Sequence, residues 1–201
     1  MTQKLTAIAL LLAFAAFAIG APPSTPRQSP EFTIIEPSGK QILLSSFKGK
    51  VVAIEFFFLR SPKCLNLANT MNKLNAELGP RGFQAVAIAF PAPGSDANGP
   101  LVSQVVDYLK LGYPVGYADK DRVDQYLERS ATETLRIPQV VIIDREGMIR
   151  AQSGGRDGNE QLEQENYLRA LIEDLLTSKA RASASPKRGR KANETIEGAS
   201  H

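Results

Sequence analysis

The chain has 201 residues, 43% of them hydrophobic, which is enough for one domain with a substantial apolar core plus tails. It carries one cysteine, which excludes an internal disulfide, and one histidine at the last position, His201, which leaves a histidine triad or a zinc site without ligands. The formal charge of +3 is uneven: residues 179–201 hold six Lys and Arg against Glu194 and Glu197, a surplus of four, so with Lys4 set aside the body stands at −2 and the basic balance gives no sign of a nucleic-acid-binding domain.

Residues 1–20 read as a signal peptide. Lys4 is a short positive segment, residues 5–17 are apolar, and Ala18-Ile19-Gly20 is a small-x-small cleavage site. The expected destination is the periplasm or the exterior, where disulfides persist; the alternative is an uncleaved N-terminal anchor, the one membrane contact the sequence suggests. Residues 21–30 contain four prolines among polar residues and are expected to be a flexible or polyproline-like linker. Residues 32–36 and 41–44 flank Pro37-Ser38-Gly39-Lys40, a hairpin signature.

Residues 51–58 are apolar except for Glu55, the pattern of a central strand covered on both faces. From Pro62, apolar residues at 67, 71, 74 and 78 recur at helical steps, and Gly79-Pro80 stops the helix. A second buried strand is expected at 83–90, a helix at 101–111, a short strand at 115–118 and a helix at 121–129. Residues 140–144 form a third buried strand, turned by Arg145-Glu146-Gly147 into 148–152, and the last helix is expected at 160–177. Gly154-Gly155-Arg156-Asp157-Gly158 reads as a turn rather than a phosphate-binding loop. The order defines an α/β domain over residues 31–178, a central mixed sheet flanked by helices, with an N-terminal β-hairpin extension and a disordered basic tail at 179–201.

The chemistry converges on Ser61-Pro62-Lys63-Cys64, where the strand enters the helix. Serine at the N-cap and proline at the first helical position make a well-matched helix start, with the Ser61 oxygen able to accept the N–H of residue 63 or 64. Cys64 falls in the first turn, where the helix dipole, Arg60 and Lys63 would favour a thiolate. Its other reading is a buried cysteine acting as a small hydrophobe. Glu55 has two readings as well: a buried carboxyl with a raised pKa, suited to general-base work, or an acid on a solvent-facing strand edge.

Gly49-Lys50-Val51-Val52, the strand and S-P-K-C, followed by Arg136-Ile137-Pro138-Gln139 and the run to Gly147, resemble the thioredoxin-like redoxin and AhpC/TSA group, including TlpA- and ResA-type thiol oxidoreductases. The resemblance covers about residues 32–155 and implies a thioredoxin-like fold. It implies a cis bond at Ile137-Pro138 with Pro138 against the active-site thiol, Glu55 as proton acceptor, and Ser61 standing where the first cysteine of C-x-x-C would be. Peroxiredoxins carry a similar T-x-x-C, but here Phe57 stands where they have a proline and Pro138 where they have an arginine. Two functions remain open: an exported single-cysteine thiol oxidoreductase, reacting with peroxide or a disulfide and reset by an external thiol, or a redox-inactive module docking extended peptide. Neither needs a cofactor or a metal. Burial of Cys64 would favour the module; an accessible thiolate would favour the enzyme.

Overall fold

The structure, a computed structural model, describes residues 24–129, 134–154 and 159–184. Among the described residues eight strands form one sheet: β1 Arg27–Gln28, β2 Thr33–Ile35, β3 Gln41–Leu43, β4 Val51–Phe57, β5 Phe83–Ala89, β6 Val115–Tyr117, β7 Gln139–Ile143 and β8 Met148–Gln152. Their order is β1-β8-β7-β4-β5-β6-β2-β3. The helices are α1 Pro62–Leu78, α2 Gly99–Leu109, α3 Lys120–Leu127 and α4 Glu165–Ala184.

β4 is central, parallel to β5 and antiparallel to β7, and all seven of its residues are buried. Successive strand side chains point to opposite faces, and the two cores divide accordingly. Val51, Ala53 and Phe57 join Cys64 and the buried stripe of α1, with Leu162 and α4, on one side. Val52, Ile54 and Phe56 meet Phe32, Val123, Tyr126 and Leu127 on the other. In α1 the stripe expected from the sequence, Leu67, Met71, Leu74 and Leu78, is buried throughout. Each such side chain contributes about 1.5–3 kcal/mol relative to exposure, so α1, and Cys64 with it, is fixed firmly against β4.

The hairpin β2–β3 joins the same sheet through Ile35 opposite Tyr117. Gly116 makes that joint possible: a Cβ there would lie 2.7 Å from Ile34 Cγ2 and 2.8 Å from the Ile35 carbonyl oxygen.

Three expectations are corrected. Residues 21–30 are not wholly a linker, because Arg27 and Gln28 pair with Ile149 and Met148. The Arg27 guanidinium donates to the Tyr126 carbonyl (3.0 Å) and to Gln152 Oε1 (2.9 Å), contacts no local pattern could announce. The last helix begins at Glu165, since Asn159 caps a separate 3-10 turn at Glu160–Glu163 and Gln164 is extended, with φ −89° and ψ 123°. That helix continues to Ala184, so the first six residues assigned to a disordered tail continue its backbone. The signal segment, the rest of the tail with His201, and the turn beyond Gly154 lie outside the described residues.

Candidate active site

The end of β4 delivers the chain into the turn that opens α1. Ser61 is the N-cap, extended at φ −88° and ψ 115°, with Pro62 at the first helical position. Its Oγ accepts the Cys64 N–H at 3.5 Å, and the Leu65 N–H donates to the Ser61 carbonyl at 3.0 Å. This is the expected cap, made here with a long hydrogen bond. Gln139 lies opposite Phe56 in the β4–β7 register, which places Pro138 alongside the end of β4, next to the segment leading to Ser61. The Ile137–Pro138 peptide bond is cis, and Ile137 packs against the core that contains Cys64.

Cys64 is a free thiol with 0% exposure. Burial pushes its pKa up, the charges of Glu55 and Glu163 push in the same direction, and hydrogen bonding from Ser61 and the Phe58 backbone opposes the rise without cancelling it. The expected thiolate-favouring environment is therefore reversed. Desolvation of the charged form outweighs the first-turn position, and Lys63, read from sequence as a thiolate partner, is engaged by Glu163 at 2.6 Å.

Glu55 pairs with Ala87 on β5 and Val140 on β7, and its position in the strand alternation places it on the Cys64 face. It is fully buried, and neither carboxyl oxygen has a hydrogen-bond partner among the described residues. Burial, followed by the nearby Glu163 charge, holds its pKa well above the usual carboxylate range. The edge-strand reading of this residue does not survive. Tyr113, whose hydroxyl donates to the Ala68 carbonyl at 3.2 Å, feels the Glu55 charge as well, and its pKa is driven well up chiefly by burial. The structure thus gathers Glu55, Cys64, Tyr113 and Glu163 around one core region. Tyr113 and Glu163 escaped sequence reasoning because no spacing relates them to S-P-K-C.

Beside Ser61 a cleft of about 540 Å³ opens between the β4–α1 turn and α2. Phe58 and Phe90, with ring centroids 4.8 Å apart, line it together with Leu101 and Val105, and Arg60, Ser61 and Asp96 also border it. Among the described residues no group of three or more His, Cys, Asp or Glu is arranged to hold a metal ion.

A strand-turn-helix site carrying S-x-x-C, faced by a buried acid and a proline loop on an antiparallel neighbouring strand, defines a thioredoxin-like protein. The chain belongs to the Redoxin family, whose model matches residues 26–171. It is similar to the thiol-disulfide oxidoreductase ResA of Bacillus thuringiensis subsp. konkukian, at 25% identity over 145 residues, 72% of this chain and 77% of that one. In fold it resembles a thiol:disulfide interchange protein of Chlorobium tepidum TLS, with TM-score 0.61 and 22% identity over 77% of this chain and 99% of that one. It also resembles a secreted disulfide oxidoreductase of Mycobacterium tuberculosis, with TM-score 0.54 and 15% identity over 71% and 94% of the two chains.

Proposed function

We propose that this protein is an exported thiol oxidoreductase that works with the single cysteine Cys64, using Glu55 as its proton acceptor and Pro138 as a wall of the thiol site. The observation that carries this reading is the unpartnered Glu55 carboxyl on the face shared with Cys64. An unsatisfied buried polar group costs about 1–3 kcal/mol. Here the neighbouring thiol gives that group a chemical use. Export rests on the composition of residues 1–20 and agrees with the secreted structural relative.

The chemistry balances with peroxide and two external thiols. Glu55 takes the Cys64 proton, and the thiolate sulfur attacks one peroxide oxygen. The O–O bond breaks, and the leaving oxygen receives the proton as water or alcohol. The sulfenic acid condenses with one external thiol, releasing water and forming a mixed disulfide. A second external thiol displaces Cys64, so peroxide gains the two electrons that the external thiols lose. Ser61 caps the helix and cannot replace the missing sulfur.

The complete burial of Cys64 favours a second reading, a redox-inactive module that docks an extended segment in the cleft beside Ser61. One experiment separates them. Native protein is treated with hydrogen peroxide and Cys64 is followed by mass spectrometry with a sulfenic-acid trap. The enzyme reading expects trapping of native Cys64 and full reversal by added thiol. A thiol that peroxide leaves untouched until the chain is unfolded would replace it with the binding module.

A further inference from the structure

The turn at 159–164 meets the site, and three observations locate it. Leu162 has 0% exposure and belongs to the same core cluster as Cys64. Glu163, with a side chain 19% exposed, contacts Lys63 Nζ at 2.6 Å, and Lys63 is the residue immediately before the thiol. Glu160 pairs with Arg136, two residues before Pro138. The turn therefore bridges both halves of the site, the start of α1 and the loop before β7.

Its hold is local. Leu162 is its single fully buried side chain, while Glu160, Gln161 and Gln164 are exposed. Asn159 closes the turn on itself, accepting the Gln161 N–H at 3.0 Å and donating to the Tyr167 hydroxyl at 2.5 Å. Beyond these it is held by Leu162, by two ion pairs and by the Asn159 N–H bond to the Gln152 carbonyl at 3.3 Å, a small set of contacts of the kind found in segments whose local opening costs less than unfolding.

We propose that residues 159–164 form a cover over Cys64 and Glu55, latched by Lys63–Glu163 and Arg136–Glu160, and that lifting this cover is the step that admits a reaction partner to the thiol. The inference concerns access and goes beyond the oxidoreductase reading, since a covered thiol needs uncovering whatever chemistry follows. Glu163 is then a positioning residue. Its carboxylate holds Lys63 and, while the cover is shut, opposes negative charge on both Glu55 and Cys64.

The test measures alkylation of Cys64 by iodoacetamide in the full chain, in wild type, Arg136→Glu, Glu160→Arg and the double swap. Exposed ion pairs are weak, so each single reversal should speed alkylation by roughly two- to fivefold. The double swap restores the pair and should return the rate to near that of wild type. In all four proteins the rate should depend only weakly on low urea concentrations, because a local opening exposes little surface. Unchanged rates in the single variants, a double swap as fast as its parents, or a urea dependence as steep as that of global unfolding would each overturn the cover. Acceleration of alkylation without any peroxide oxidation would leave the cover standing and remove the oxidoreductase reading. Equal, rapid peroxide oxidation in all four proteins would do the reverse.

Discussion

Glu55 and Cys64 differ in how far the sequence could describe them. A lone acid within 51–58 is visible at once, and the near-continuous apolar run around it raises the buried reading, to which the strand alternation adds little. The thiol's environment was not legible, because the dipole and the nearby cations are local while the burial that outweighs them is made by a core drawn from β4 to α4, much of it far along the chain. The buried acid has a consequence for stability. Its folded pKa is raised, so between the ordinary carboxylate value near 4.5 and the higher folded value the native state holds a proton that the unfolded chain has lost. Stability should fall as pH rises through that window. Glu55→Gln removes this loss, so its thermal midpoint should gain on wild type as pH is raised above about 4.5, measured by thermal melts at several pH values. A constant difference across pH would contradict the assignment.

Ser61 is also a residue-scale test. It lies one helical turn from Cys64, roughly 5 Å between Cα atoms by helix geometry, within the range that a disulfide spans. Ser61→Cys should form a 61–64 disulfide and gain insulin-reducing activity that wild type lacks under any reductant. Ser61→Ala should cost about 0.5–1 kcal/mol in urea unfolding, at the low end for a cap because the hydrogen bond is 3.5 Å long.

At the scale of elements, β4, β5, β7 and α1 were legible because each satisfies its burial pattern within a few residues. The pieces that were missed depend on partners far along the chain. β1 exists through Ile149 and Met148, and four prolines in residues 21–30 hid it behind the composition of a linker. The turn at Glu160–Glu163 read as the first turn of α4, since Leu162 fits the helical stripe of Leu168 and Ile172; only the capping by Asn159 and the extended Gln164 set it apart. The β2–β6 joint offers a prediction at this scale. Gly116→Ala places a Cβ against Ile34 and the Ile35 carbonyl and should cost about 1–3 kcal/mol in denaturant unfolding. A neutral effect would show that the hairpin gives way freely.

For the whole molecule, the α1–α4 seam joins the site to the rest of the fold. Lys63–Glu163, Lys73–Glu165, Glu77–Arg169 and Arg81–Glu173 follow one another along it, from Glu163 just before α4 at the thiol end to Arg81 just beyond the end of α1. Beneath them the apolar stripe of α1 and Leu168, Ile172 and Leu176 of α4 belong to the same core as Cys64. Cys64 is fully buried in that core, and the raised pKa values of Glu55 and Cys64 follow chiefly from burial. On the proposed function these two groups act as one acid-thiol pair. The rate of Cys64 alkylation in the native protein, followed from pH 6 to 11 in wild type and in Glu55→Gln, tests it most directly. The wild-type profile should rise above the ordinary thiol range and move to lower pH in the variant, where no carboxylate charge opposes the thiolate. Identical profiles in the two proteins would contradict it.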